Sequence, residues 1–199
     1  LQHLLTVATE RYYQQISLET GSMDFFTFPW LKYQATRPNT KGIEYTAQLA
    51  YKPSRGFNCY VRVRHQNKEI NASAEGKIIG IENEKRTNYR AHLSYKVSES
   101  FTLRSRVEYV IYDRGERDKE NGLLAYQDLV YKPKSFPVSF SARYALFDTD
   151  SYNARVYAYE NDVLYYFYIP AYYKTGSRFY LTARYKYRKK FDFWVRYGA

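Results

Sequence analysis

Cysteine is almost missing: Cys59 stands alone in 199 residues, which rules out an internal disulfide. With only three histidines beside it, a metal cluster is not expected, and no cofactor motif is present. No apolar run approaches the roughly 18 residues that a membrane-crossing helix needs. Helical spacing is lacking too, because a 3.6-residue period would mix the chain's charges and apolar groups on the same face. The opening Leu1-Gln2-His3 has neither the basic nor the apolar region of an export signal. It is expected to begin a mature or partial chain.

What is present is aromatic and basic. There are 25 tyrosines, 12 phenylalanines and 2 tryptophans, and 31 Lys/Arg against 20 Asp/Glu leave a net charge of +11. Tyrosine, apolar in the ring and polar at the tip, suits boundaries between water and an apolar phase. A net positive charge favours an anionic neighbour: lipopolysaccharide, nucleic acid or an acidic polymer. The mean hydropathy of −0.67 does not argue against a membrane barrel, whose strands show lipid only every second residue.

One signature repeats along the chain. An aromatic ends a strand, a basic turn follows, and another aromatic opens the next strand. The copies are Tyr51-Lys52-Pro53 to Phe57, Tyr95-Lys96-Val97 to Phe101, Tyr131-Lys132-Pro133 to Phe136, and Tyr187-Arg188-Lys189 to Phe191. Tight turns flanked by aromatics mark the periplasmic rim of a transmembrane β-barrel. The basic side chains there can reach headgroup phosphates, and Pro53 and Pro133 keep their turns short.

Between the turns the period is two. Ile43, Tyr45, Ala47, Leu49 and Tyr51 oppose Glu44, Thr46 and Gln48; Phe101, Leu103, Val107 and Tyr109 oppose Arg104, Arg106 and Glu108. Phe57–Gln66, Tyr89–Lys96, Phe136–Tyr144 and Arg178–Tyr187 alternate in the same way. Weaker patterns suggest a hairpin over 11–19 and 24–36 turning at Thr20-Gly21-Ser22, a strand over 123–131, and two strands over 151–169 turning at Glu160-Asn161-Asp162. The count comes to about twelve strands. Long connections are expected near 67–87, 113–121 and 169–177, opposite the short turns, with the 67–87 loop solvated.

The expected fold is therefore all-β: an antiparallel transmembrane β-barrel segment over 1–199 with no second domain, in the outer membrane of a Gram-negative bacterium. The alternative is a soluble β-sandwich or a lipocalin-like barrel with the apolar face inside. The first and last strands both place the termini at the long-loop side, whereas single-chain barrels place both in the periplasm. A piece of a larger barrel is expected on that ground.

The polar face carries Arg62, Arg64, Arg90, Arg104, Arg106, Arg143, Arg155, Arg178, Arg184, Lys186 and Arg196, opposed by Glu44, Glu108, Asp128, Glu160 and Asp192. These define either a basic lumen that attracts phosphates or carboxylates, or a set of cross-strand ladders bracing the wall. The membrane-interface aromatics are Tyr51, Phe57, Tyr95, Phe101, Tyr131, Phe136, Tyr187 and Phe191. Arginines interleaved with aromatics could hold single-stranded nucleic acid, but on alternating strands the two types point opposite ways. A hydrolase needs a nucleophile and a base at one depth; His92 shares a face with Ser94, while His65 lies towards the loop end, so catalysis is not expected. Cys59 reads as a small apolar residue, and the sequon at Asn71-Ala72-Ser73 is the kind of short match that chance supplies.

Several stretches resemble a known family: Trp30-Leu31-Lys32-Tyr33, Gly42-Ile43-Glu44-Tyr45, Tyr60-Val61-Arg62-Val63-Arg64-His65-Gln66-Asn67-Lys68, and above all Tyr159-Glu160-Asn161-Asp162-Val163-Leu164-Tyr165. With Ile169-Pro170-Ala171-Tyr172-Tyr173 and Asp192-Phe193-Trp194-Val195-Arg196-Tyr197, they are similar to the C-terminal barrel region of Bacteroidota helix-hairpin-helix domain-containing outer-membrane proteins. The barrel reading makes a non-enzymatic channel, translocation or scaffold component the leading expectation. Its partners would be outer-membrane lipid, lipopolysaccharide and other outer-membrane proteins. The resemblance implies a DNA-uptake barrel as an alternative, with nucleic acid bound through periplasmic hairpins outside this chain. An accessory subunit of a larger outer-membrane complex is the third expectation. The resemblance carries no catalytic residues.

Overall fold

The computed structural model describes residues 15–28, 40–74, 77–115, 117–163, 169–188 and 190–199. Nine strands form one antiparallel sheet: β1 (Gln15–Phe28), β2 (Thr40–Ser54), β3 (Phe57–Ala74), β4 (Lys77–Lys96), β5 (Phe101–Arg114), β6 (Glu120–Tyr131), β7 (Val138–Thr149), β10 (Thr175–Tyr187) and β11 (Phe191–Gly198). Two short strands, β8 (Val156–Tyr157) and β9 (Ala171–Tyr172), pair with each other outside it. The strands of this sheet are bonded to their neighbours in the order β1-β2-β3-β4-β5-β6-β7-β10-β11. Among the described residues β1 and β11 are its two edges, so the sheet is open.

Period-two alternation places the side chains as the sequence pattern requires. Tyr45, Leu49, Val61, Tyr89, Leu103, Val107, Leu129, Tyr144, Leu181 and Val195 are all exposed, on one face. Arg106, Glu108, Asp128 and Arg143 on the opposite face are buried. Soluble proteins show the reverse distribution, since ionised groups are rarely buried unless paired.

Three segments depart from the sequence expectations. The Gly21-Ser22 step is not a turn: β1 runs through it with a register irregularity between Thr20 and Met23 against β2. A bulge absorbs extra residues without reversing the chain, and glycine suits both. The second half of that expected hairpin, beyond Phe28, lies outside the described residues. The expected loop over 67–87 is mostly strand, since β3 continues to Ala74 and β4 begins at Lys77. Its charges are spaced by two and pair across strands, Lys68 with Glu84 at 2.9 Å and Arg114 with Glu82. A charged run reads as solvated until its partners are known.

The third departure matters most. Residues 151–163 and 169 do not join the sheet, which has nine strands among the described residues against an expected twelve or so. After β7 ends at Thr149, residues 153–163 lie on the charged face with β8, β9 pairs with β8, and the sheet resumes at β10. The two ends of this insert are clasped. The Thr149 N–H donates to the Lys174 carbonyl at 3.0 Å, and the Lys174 N–H donates to Thr149 Oγ1 at 2.7 Å. Lys174 takes a left-handed φ of 66° to make this turn, a conformation costly for a side chain with a Cβ.

Candidate functional site: an arginine-held insert on the charged face

The insert has its own alternation. Ala154, Val156, Ala158 and Glu160 are buried against the sheet, while Tyr157 and Tyr159 point away and are exposed. Beneath the small side chains lies an apolar island in the charged face: Val110 of β5, Leu124 of β6 and Ala145 of β7, fully buried, with Tyr126, Phe147 and Tyr172 around them. Removing this apolar surface from water supplies the non-directional part of the attachment. Gly122 completes the fit, because a Cβ there would overlap the Ala154 carbonyl oxygen.

An extended segment that lies on a sheet face instead of joining it leaves its backbone carbonyls unpaired, and buried carbonyls need donors. Wall arginines provide them. Arg86 of β4 donates to the carbonyls of Asn153, at 2.8 Å, and Arg155. Arg106 of β5 donates to Tyr157 O at 3.3 Å, and Arg143 of β7 to Tyr159 O at 2.7 Å. These carbonyls alternate along the insert as the arginines step across the sheet.

The clamp closes on the Glu160-Asn161-Asp162 triplet expected to be a turn. Glu160, with no exposed surface, pairs with Arg178 of β10 at 3.1 Å and with Arg196 of β11, and accepts from Tyr172 Oη at 2.6 Å. Burial, together with that bond to Glu160, holds the Tyr172 phenol well above its ordinary pKa, so it remains a donor. Asp162 pairs with Arg196 too. The Asn161 N–H donates to Tyr180 Oη at 3.0 Å, its amide to Ser141 Oγ at 2.7 Å, and Thr182 Oγ1 donates to its carbonyl at 3.1 Å.

The arginines are themselves held. Arg143, 4% exposed, forks onto Asp128 with Nε at 2.5 Å and Nη2 at 2.8 Å, and its guanidinium lies 3.7 Å from the Tyr126 ring centroid. Bidentate geometry and stacking fix a guanidinium in direction as well as in place. Glu108 accepts from Arg90 at 2.8 Å and from Arg106, so one buried carboxylate serves two strands. Arg196 lies over the Tyr180 ring at 4.8 Å.

The other expected basic residues are placed differently. Arg62 bonds Gln48 at 2.8 Å, Arg64 pairs with Glu44 at 2.6 Å, and Arg184 pairs with Asp192 at 3.0 Å over the Trp194 ring. These are cross-strand or near-strand braces on the part of the charged face away from the insert. Arg104 is exposed, and Lys186 lies near the short-turn end. Arg155 departs from expectation: it belongs to the insert, not to a wall strand, and its guanidinium lies 4.1 Å from the Tyr152 ring and 5.4 Å from that of Tyr157. Sequence alternation extends into the insert, which is why Arg155 reads as a wall residue.

Arg86 was missed, hidden in the segment expected to be a loop. So was the island of Val110, Leu124 and Ala145. Its signal was present as apolar residues at polar-face positions, which is why 123–131 alternates poorly.

The eight interface aromatics all lie at the short-turn end. Tyr51 meets Phe57 at 6.5 Å between ring centroids, Phe57 meets Tyr95 at 6.4 Å, and Phe101 meets Tyr131 at 4.5 Å. Phe136, Tyr187 and Phe191 are exposed at the same end. His92 rests its ring 5.0 Å from that of Tyr60. Among the described residues no group of three or more His, Cys, Asp or Glu is placed to hold a metal ion, and no helix is long and apolar enough to cross a membrane. The chain matches no family model, no curated protein and no solved structure.

Proposed function

We propose that this sheet is part of the wall of an outer-membrane β-barrel, with lipid against its apolar face and a polar interior occupied by the insert. The observation that carries the reading is the inverted distribution: large apolar side chains exposed along β2 to β7, β10 and β11, charges sheltered behind them. The lengths fit, since β1 to β7 and β10 have 12 to 20 residues and a tilted spanning strand needs about 10. Aromatics and basic turns gather at one end, as at a membrane interface.

The role is structural and non-enzymatic, that of a scaffold or translocation wall. Bracing is favoured over an open anion path because most polar-face arginines are engaged with acids or with the insert's carbonyls. Phospholipid headgroups are the natural neighbours of the basic turns at the periplasmic rim, and lipopolysaccharide that of the opposite rim. The test is fractionation of cells expressing the native protein, followed by planar-bilayer recording. Recovery in the outer membrane, with conductance that Arg104→Gln leaves unchanged, supports a braced wall. A monodisperse, detergent-free soluble protein overturns the membrane reading, and anion-selective conductance that falls in Arg104→Gln replaces bracing with passage.

A further inference from the structure

Beside the first turn of the insert, the charged face encloses a cavity of about 430 Å³ between β3, β4, β5 and residues 153–157. Arg64, Lys68, Arg86, Arg90 and Arg155 line it, against the carboxylates of Glu84 and Glu108 only. Two of these cations have an acid in the lining: Lys68 with Glu84 at 2.9 Å and Arg90 with Glu108 at 2.8 Å. Arg64 turns to Glu44, leaving Arg86 and Arg155 with no carboxylate partner among the described residues. Arg86 donates to the carbonyls of Asn153 and Arg155 and, at 3.3 Å, to Asn88 Oδ1. Arg155 donates to Tyr152 O at 2.8 Å and Tyr157 Oη at 2.6 Å.

Both guanidinium groups are thus fixed in direction by neutral acceptors and neither is in direct contact with a carboxylate; Glu84 and Glu108 act on Arg86 only at longer range. Two like charges held in one polar chamber repel each other, and an oxyanion between them would relieve that repulsion. A guanidinium fork matches phosphate geometry, and the volume is that of a small-molecule site. Tyr112 and Tyr157 add ring surface, and Asn88 and Asn153 add polar groups, as a sugar or similar polar body requires. We propose that this cavity binds a phosphomonoester carried on a small polar body, gripped by Arg86 and Arg155. The cavity lies on the charged face, so the proposal stands whether or not the apolar face meets lipid.

The test is calorimetry on the full chain in detergent, with glucose 6-phosphate, inorganic phosphate, glucose, and a detergent-dispersed phosphorylated glycolipid as probes. Arg155→Gln is the informative variant, because the Arg155 side chain's hydrogen bonds go to Tyr152 and Tyr157 of the insert, and none of the bonds from the sheet to the insert uses that side chain. Saturable binding of glucose 6-phosphate but not glucose is expected, weakened about tenfold or more in Arg155→Gln. Binding confined to the glycolipid, with the same loss in Arg155→Gln, supports the site and assigns its phosphate to a lipid headgroup. Binding of no phosphate probe overturns the proposal. So does an equal loss in Arg104→Gln, which removes the same charge away from the cavity. A soluble protein that still binds would sink the membrane reading alone.

Discussion

The charged face has two halves that obey the same period-two rule and differ in what they carry. Over β5, β6, β7 and β10 it holds Val110, Leu124 and Ala145, and the insert sits on it. Over β2 and β3 it holds Arg62, Arg64 and Gln66, which bond Gln48 and Glu44 of the same half, while β4 divides the two, with Arg86 on the insert and Arg90 on Glu108 of β5. A few apolar residues at polar-face positions therefore decide where a segment can dock. The arginines around them then convert a loose contact into a registered one. On the covered half a lost interaction leaves a buried charge; on the open half water replaces it.

That contrast can be broken at its strongest point. Glu160→Ala removes the carboxylate shared by Arg178, Arg196 and Tyr172, and should destabilise docking of the insert by about 3 kcal/mol. Proteolysis confined to 150–173 in the variant, with the strands intact, is the readout. Arg64→Gln on the open half should change stability by no more than about 0.5 kcal/mol in denaturant titration. Equal effects would erase the distinction between the halves.

Gly122→Ala sets a methyl group against the Ala154 carbonyl, and should lift the insert at a cost of about 2 kcal/mol. Faster amide exchange in residues 154–158 would register this. Unchanged exchange would mean that the insert shifts without loss.

The smallest effect is expected at the short-turn end, where Glu99 links the turn after β4 to the turn after β6. Hydrogen bonds from Lys134 and Lys96 hold its carboxyl below the ordinary carboxylate pKa. Because the folded value is depressed, its contribution is present above the unfolded pKa and fades as pH falls through the folded one. Glu99 is fully exposed, so melting curves of Glu99→Gln should match the parent closely and differ only in their acid dependence.

Most of the sheet was legible in the sequence, because alternation is local: β2 to β5 and β7 announce their two faces without knowledge of their neighbours, whereas β6 carries the apolar Leu124 at a polar-face position and reads weakly. The short turns were legible for the same reason, through Pro53, Pro133 and the flanking aromatics. The insert was not. Its residues 153–160 alternate as a strand does, and nothing local distinguishes a backbone paired with another strand from one paired with arginines. The extension of β3 and β4 was hidden likewise, since Glu82, Glu84 and Arg86 look solvated until Arg114, Lys68 and the insert are placed beside them.

The sequence by itself determined an antiparallel all-β sheet with one apolar and one charged face, and the short turns at one end. Tertiary structure alone decided which face is exposed, that residues 153–163 and 170–172 cover part of the other, and that Arg86 and Arg155 meet in one cavity. The physical reason is range. Backbone geometry sets side-chain direction within two residues, whereas the partner of a buried charge is chosen by segments far apart in the chain, such as Arg196 and Glu160 or Arg86 and Asn153.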